Sequence, residues 1–135
     1  FMMPVRFDEY LKEPKSMDLE TALRLHDEML GEIGTDPDSV ELYEELCRAA
    51  ARYANFRAWW LLWDKEKKAE QDEGRTASHN ALIVKFNQLA RYLKMQGKTA
   101  AWRDELGYEE EDLYFRKRIG DFGCFLAFVN GVHAR

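Results

Sequence analysis

The ionisable residue with the most demanding surroundings is Asp121, set in the run Ile119-Gly120-Asp121-Phe122-Gly123-Cys124-Phe125-Leu126. It is the only Asp, Glu, Lys or Arg between Ile119 and Ala134. A carboxylate left charged and unpaired in apolar surroundings is costly, so this one calls for a partner. Arg57, Arg75 and Arg91 are the cations that fall on or beside apolar helical stripes. The guanidinium of Arg57 suits the task because it can grip a carboxylate through two parallel hydrogen bonds. His79 and Asn80 follow Arg75 by about one helical turn, where they could complete a network.

Two kinds of chemistry fit such a cluster. The default is a buried salt-bridge network of Arg57, Arg75, His79, Asn80 and Asp121 that fixes which helices pair. The functional alternative is a polar pocket in which Arg57 and Arg75 hold an anionic ligand while His79 and Asp121 handle protons. A metal site built from His79 and Asp121 with Asp72 or Glu73 lacks a second histidine at ligand spacing, so no metal is assigned. Cys124 lies in an apolar segment, where burial raises a thiol's pKa and suppresses reactivity. No Gly-rich phosphate loop, GxSxG elbow, HExxH pair or internal repeat occurs. No catalytic residue or cofactor is therefore named, and whether the chain is an enzyme stays open.

The elements that would position the cluster are helical. From Ile119 to Ala134 apolar residues cover every side of a helix, the pattern of a buried element that the remaining chain must wrap. Gly120, Gly123 and Gly131 weaken it by roughly 1 kcal/mol each, which close approach by neighbours would offset. The stretch is too short for a bilayer and carries Asp121, so a membrane span is rejected. Upstream, Ser16 offers an N-cap for an amphipathic helix whose stripe is Leu19, Ala22, Leu23, His26, Met29, Leu30 and Ile33, ending at Gly34. His26 on that stripe is read as a hydrogen-bonded structural histidine.

Asp36-Pro37 opens a long helix predicted to reach Trp63, with Val40, Tyr43, Cys47, Ala50, Ala54 and Leu61 facing the core and Arg57 among them. At its end Phe56, Trp59, Trp60, Leu61, Leu62 and Trp63 surround the helix. This is more apolar surface than one core face needs, so Phe56, Trp59, Trp60 and Trp63 are candidate interface residues. The mixed-sign run 64–73 is predicted to be a solvated helical connection closed by Gly74. A second long helix then runs from Thr76 to about Gln96. Leu82, Phe86, Leu89 and Leu93 form its stripe, Ile83, Val84 and Ala90 widen it, and Asn80, Asn87 and Arg91 lie at its edge. Thr99 is the predicted cap of a short helix anchored by Trp102, and Glu109 to Asp112 would favour the start of the last helix. No strand pattern occurs.

The fold class expected is all-α, an irregular bundle of four to five main helices around a buried C-terminal helix. Residues 1–36 form an acidic arm plus the first amphipathic helix, and residues 37–135 form the bundle core, one domain overall by length. The arm holds four Lys/Arg against nine Asp/Glu while the rest is balanced, which argues against nucleic-acid binding. Its Phe7, Tyr10 and Leu11, at helical spacing between Pro4 and Pro14, are read as a packed arm, with a docking peptide as the alternative. Two distant cysteines and no signal-peptide pattern suit a cytoplasmic protein.

The strings RYANFRAWW (52–60), DEGRTASHNALI (72–83), RYL (91–93), WRDELG (102–107) and RKRIGDFGCFL (116–126) resemble a bacterial family catalogued as domain of unknown function 3232. The resemblance spans about residues 48–135. It implies an all-helical bacterial protein and draws attention to Arg57, Arg75, His79, Asn80 and Asp121 without naming a reaction. The function expected is a non-enzymatic interaction or regulatory module, homo-oligomeric through the Trp59 to Trp63 region and possessing a protein partner. The alternative is a small anionic-ligand-binding protein or enzyme.

Overall fold

Three aspartates open the first three helices. The computed structural model describes residues 17–107 and 113–131, with side chains of the second segment from residue 118. In it Asp18, Asp36 and Asp64 each accept a hydrogen bond from the backbone N–H three residues on, Thr21 at 2.7 Å, Ser39 at 3.0 Å and Lys67 at 2.8 Å. Each carboxylate satisfies an otherwise orphaned donor and sits at the positive end of a helix dipole. The helices that follow are α1 (Leu19–Ile33), α2 (Pro37–Trp60) and α3 (Lys65–Met95). A short α4 (Ala101–Glu105) and the final α5 (Leu113–Val129) complete an all-α bundle with no strand among the described residues.

Several boundaries differ from the pattern read in the sequence. The cap of α1 is Asp18; Ser16, like the arm with Phe7, Tyr10 and Leu11, lies outside the described residues, as do Glu109 to Asp112. Helix α2 ends at Trp60, and Leu61 to Trp63 form a turn in which the N–H groups of Leu62 and Trp63 bond the Trp59 carbonyl at 2.9 and 3.1 Å. The larger correction is α3, which absorbs the charged connection and runs 31 residues straight through Gly74. A Cβ at Gly74 would lie 2.9 Å from Cζ of Phe56. The ring of α2 occupies the space a side chain would need, and this contact offsets the roughly 1 kcal/mol helix cost of glycine.

The core is organised around α5, where every residue from Phe122 to Ala127 is buried. Gly120 and Gly123 do permit close approach, since a Cβ there would meet the Tyr53 hydroxyl at 2.7 Å and Cδ2 of Leu82 at 2.6 Å. Gly131 does not: nothing lies within 4 Å, and its φ of +87° instead makes it the left-handed residue that ends the helix. One chain of ring contacts touches all five helices. Trp102 of α4 meets Phe86 of α3 at 6.3 Å, Phe86 meets Phe122 of α5 at 5.8 Å, and Phe122 meets Phe125 at 6.0 Å. Phe125 then meets His26 of α1 at 5.8 Å, and His26 meets Tyr43 of α2 at 6.0 Å. Helix α1 thus shares the core of residues 37–135, contributing Ala22, Leu25, Met29 and Ile33.

The buried stripes are narrower than periodicity alone suggests. Leu19, Leu23 and Leu30 of α1, Val40 of α2, Leu61 in the turn and Val84 of α3 are exposed. On α2 the core face is instead Leu46, Ala50, Tyr53, Ala54 and Ala58, because α3 and α5 both lie along that side. Among the described residues no helix is long and apolar enough to cross a membrane.

Helix α4 is fixed by Glu32, at the end of α1. Its carboxylate accepts hydrogen bonds from the N–H and hydroxyl of Thr99 (both 3.2 Å), the N–H of Ala100 (3.1 Å) and the indole N–H of Trp102 (2.8 Å). The cap position itself falls one residue after Thr99. That position is Ala100, held at φ 47°, in the left-handed region that alanine rarely adopts, and with no side-chain oxygen to cap with. The Glu32 carboxylate, 68 residues earlier, holds the N–H of Ala100 itself, while the Thr99 hydroxyl accepts from the N–H of Ala101, the first residue of α4, at 3.3 Å.

Candidate functional site

The polar cluster forms where α2, α3 and α5 meet, and Tyr53 is its centre. Arg57 Nη1 donates to the Tyr53 hydroxyl at 2.8 Å, and Nη2 lies 3.8 Å from Oδ1 of Asp121. The two-bond grip on one carboxylate expected from the sequence is thus divided between a phenol and a carboxylate. The Asp121 side chain is 8% exposed and that of Arg57 25%, so the pair sits at the edge of the core rather than in its centre. His79 completes the group from α3, its ring centroid 5.3 Å from that of Tyr53. Gly120 leaves the room for this arrangement, since a Cβ there would lie 3.2 Å from Arg57 Nη1 as well as against the phenol. Burial pushes the Tyr53 phenol above its ordinary range, with Arg57 opposing. At neutral pH it therefore keeps its proton and acts as a hydrogen-bonding post, not a base.

The other residues of the expected cluster go elsewhere. Arg75 turns onto the aromatic ring of Trp60, its guanidinium carbon 4.4 Å from the ring centroid, and pairs with Asp72 at 3.5 Å. Stacking leaves its Nε buried without a hydrogen-bond acceptor. Asn80 and Arg91 are exposed and take no part, because the helical face that carries His79 inward carries both outward. Asp72 is 61% exposed, and among the described residues no group of three or more His, Cys, Asp or Glu converges.

Beside the cluster is a cleft of about 250 Å³ lined by Met17, Leu19, Ala22, Phe125, Phe128 and Asp121. Asp18 and Cys124 also border it. That volume is just below the 300–1,000 Å³ of typical small-molecule pockets. The walls are mainly apolar, and the carboxylates of Asp18 and Asp121 are the charged groups on them. The second thiol, Cys47, has its pKa pushed up to about 11 by burial, which leaves it protonated and unreactive at neutral pH.

The α2–α3 hairpin tip is a second assembly of distinctive chemistry. Phe56, Trp60 and Trp63 pack edge to face at 6.3 and 6.2 Å. Lys67 stands 5.8 Å from the Trp63 ring and Lys68 5.8 Å from that of Trp60. These three rings are already occupied from within the chain. Of the expected interface residues only Trp59 is strongly exposed, at 38%, and it is joined by Leu61 at 40% and Leu62 at 42%.

Tyr53 and Glu32 are the site and scaffold residues that sequence reasoning passed over. For Tyr53 a signal existed: it precedes Arg57 by four residues, the spacing at which helical side chains meet. No family model, curated protein or solved structure matches the chain.

Proposed function

We propose that the chain is a non-enzymatic interaction module that self-associates through the α2–α3 hairpin tip and serves as an accessory or regulatory partner of another protein. The observation that carries this reading is the exposure of Trp59, Leu61 and Leu62 within four residues at the end of α2 and the turn after it. Single exposed leucines are ordinary, but three exposed apolar residues so close in sequence, one of them tryptophan and followed by a charged run, have the composition of a contact surface. The internal packing of Phe56, Trp60 and Trp63 supports it further by making the turn rigid, which lowers the entropy lost on docking. A cytoplasmic setting and kinship with domain of unknown function 3232 belong to the same reading, supported by the two distant cysteines and the motif strings around Arg57, Arg75 and Asp121. Sedimentation velocity over a concentration series tests it. The wild type is expected to associate reversibly and Trp59→Glu to stay monomeric with an unchanged helical circular-dichroism spectrum; identical profiles for the two would remove this contact.

A second reading, a small-molecule site, is favoured by the cleft that Asp121 borders. Its apolar walls suit a compound with one polar group to meet the carboxylate better than an anion held by Arg57 and Arg75. Native mass spectrometry of freshly purified protein is expected to show an adduct that Asp121→Asn abolishes while stability is largely kept. If that variant simply unfolds, Asp121 is a structural partner of Arg57.

A further inference from the structure

We infer that the cleft between the start of α1 and the second half of α5 is a binding site for a small organic cation, an ammonium group carried on a compact apolar body. This rests on the small-molecule reading of the cleft and names the ligand's chemistry. On α5 the walls are Asp121, Cys124, Phe125 and Phe128, residues three and four apart that share one face of a helix. Asp18, Leu19 and Ala22 close the cleft from the start of α1.

Both carboxylates lie at one end of it. The Thr21 N–H and then the charges of Arg118 and Arg24 hold the Asp18 carboxyl below its usual range. Arg118 therefore stands near the start of α1, and about two turns further on His26 of α1 meets Phe125 of α5 at 5.8 Å, so the two helices run in the same direction. Asp18 and Asp121 thus share an end, and Phe128, about 10 Å further along α5, marks the other.

Among the described lining residues there is no cation. Arg118 turns to Glu105 at 3.9 Å, Arg24 is held by Glu105 and Glu28, and Arg57 meets Asp121 from α2. What the cleft presents is acid at one end of an apolar surface. An anion would meet two carboxylates there, and a hydrocarbon would strip them of water with nothing in return. An ammonium head answers both, while the rings of Phe125 and Phe128 favour the same charge. Size sets the body. An apolar cavity of about 150 Å³ holds one benzene, so about 250 Å³ admits a phenyl ring with a two-carbon amine arm.

Phenethylamine, phenethyl alcohol and hydrocinnamate offer similar shapes in three charge states, and titrating each into the full chain with amide NMR spectra tests the assignment. The amine is expected to bind at about 0.1–1 mM, the range of a nine-atom ligand, and about tenfold tighter than the alcohol. Its shifts are expected to centre on residues 19–22 and 121–128, and hydrocinnamate is expected not to bind. Asp18→Asn keeps a capping side chain for α1 and should weaken the amine about threefold and the alcohol less than twofold, with Tm unchanged. Asp121→Asn should weaken the amine more strongly; if that variant unfolds, Asp18→Asn still decides. Equal binding of amine and alcohol at those amides, or an amine affinity that Asp18→Asn leaves unchanged, keeps the cleft as a site and overturns its preference for a cation. Absence of shifts there with any of the three at about 10 mM overturns the cleft reading as well.

Discussion

Replacing Glu32 with alanine should be among the most damaging single changes at a half-buried acidic position in this chain. The carboxylate accepts four hydrogen bonds, but they are not equivalent. Thr99 is exposed, so its N–H and hydroxyl turn to water when Glu32 is lost, at little cost. Ala100 and Trp102 are 0% and 1% exposed, and their N–H groups have no water to turn to. Stranding a buried donor costs about 1–3 kcal/mol, which puts Glu32→Ala near 4 kcal/mol. Losing Glu32 also frees the left-handed Ala100 and leaves α4 tied to α1 through the exposed Arg24–Glu105 pair. Against a typical total of about 5–15 kcal/mol this is a large fraction, equivalent to a fall in Tm of roughly 10–15 °C. Urea denaturation followed by circular dichroism measures it. Glu32→Gln keeps one acceptor oxygen for the indole and should cost about half as much, while Thr99→Val should cost under about 0.5 kcal/mol. A loss below about 1 kcal/mol for Glu32→Ala, or Thr99→Val proving equally harmful, would refute this apportioning between buried and exposed bonds.

Gly123→Ala should change sign with its neighbour. In the wild type the new Cβ would lie 2.6 Å from Cδ2 of the fully buried Leu82, and overpacking costs about 1–3 kcal/mol, more than the roughly 1 kcal/mol that alanine contributes to a helix. In a Leu82→Ala background the obstruction is gone and the same change should stabilise, which a double-mutant cycle by urea denaturation reads directly. His26 should impose a pH dependence on folding. Burial lowers its pKa from the ordinary 6.5, with Asp27 partly opposing, so the unfolded chain binds the proton more readily than the folded one. Its contribution is complete above about pH 6.5 and is lost as pH falls through the lower folded value. Wild-type urea midpoints should therefore decline between about pH 7.5 and 5 more steeply than those of His26→Gln, and parallel declines would count against a buried neutral imidazole.

What the sequence revealed divides along a physical line. Features set by neighbours within one or two turns were legible: the Asp36-Pro37 start, the anchoring Trp102, and the all-round burial of α5 around Phe122 and Leu126. So was His26, a hydrogen-bonded residue on an apolar stripe, which meets the Tyr43 hydroxyl at 2.7 Å. Features decided by partners distant in the chain were not. Gly74 looks like a terminator until the ring of Phe56 is placed against it, 18 residues away. Val40, Val84 and Leu19 satisfy the helical period, yet periodicity says how wide an apolar stripe is and not how much of it a neighbour covers.

The Arg57 and Asp121 pairing was proposed from burial alone and is found at 3.8 Å, because an apolar helix carrying one carboxylate restricts where its cation can stand. Arg75 had the same charge and a similar stripe position, but it faced the aromatic tip before it could reach Asp121, and a desolvated indole is a competent partner for guanidinium. The competition between Trp60 and Asp121 for cations therefore separates this surface into two regions. One arginine closes the core beside Tyr53, and the other stiffens the turn that carries Trp59, Leu61 and Leu62. Arg75→Ala is expected to loosen the turn and, because Arg75 also helps hold the Tyr53 phenol down, to push that phenol higher, which ties the rigidity of the proposed contact to a residue that never enters it.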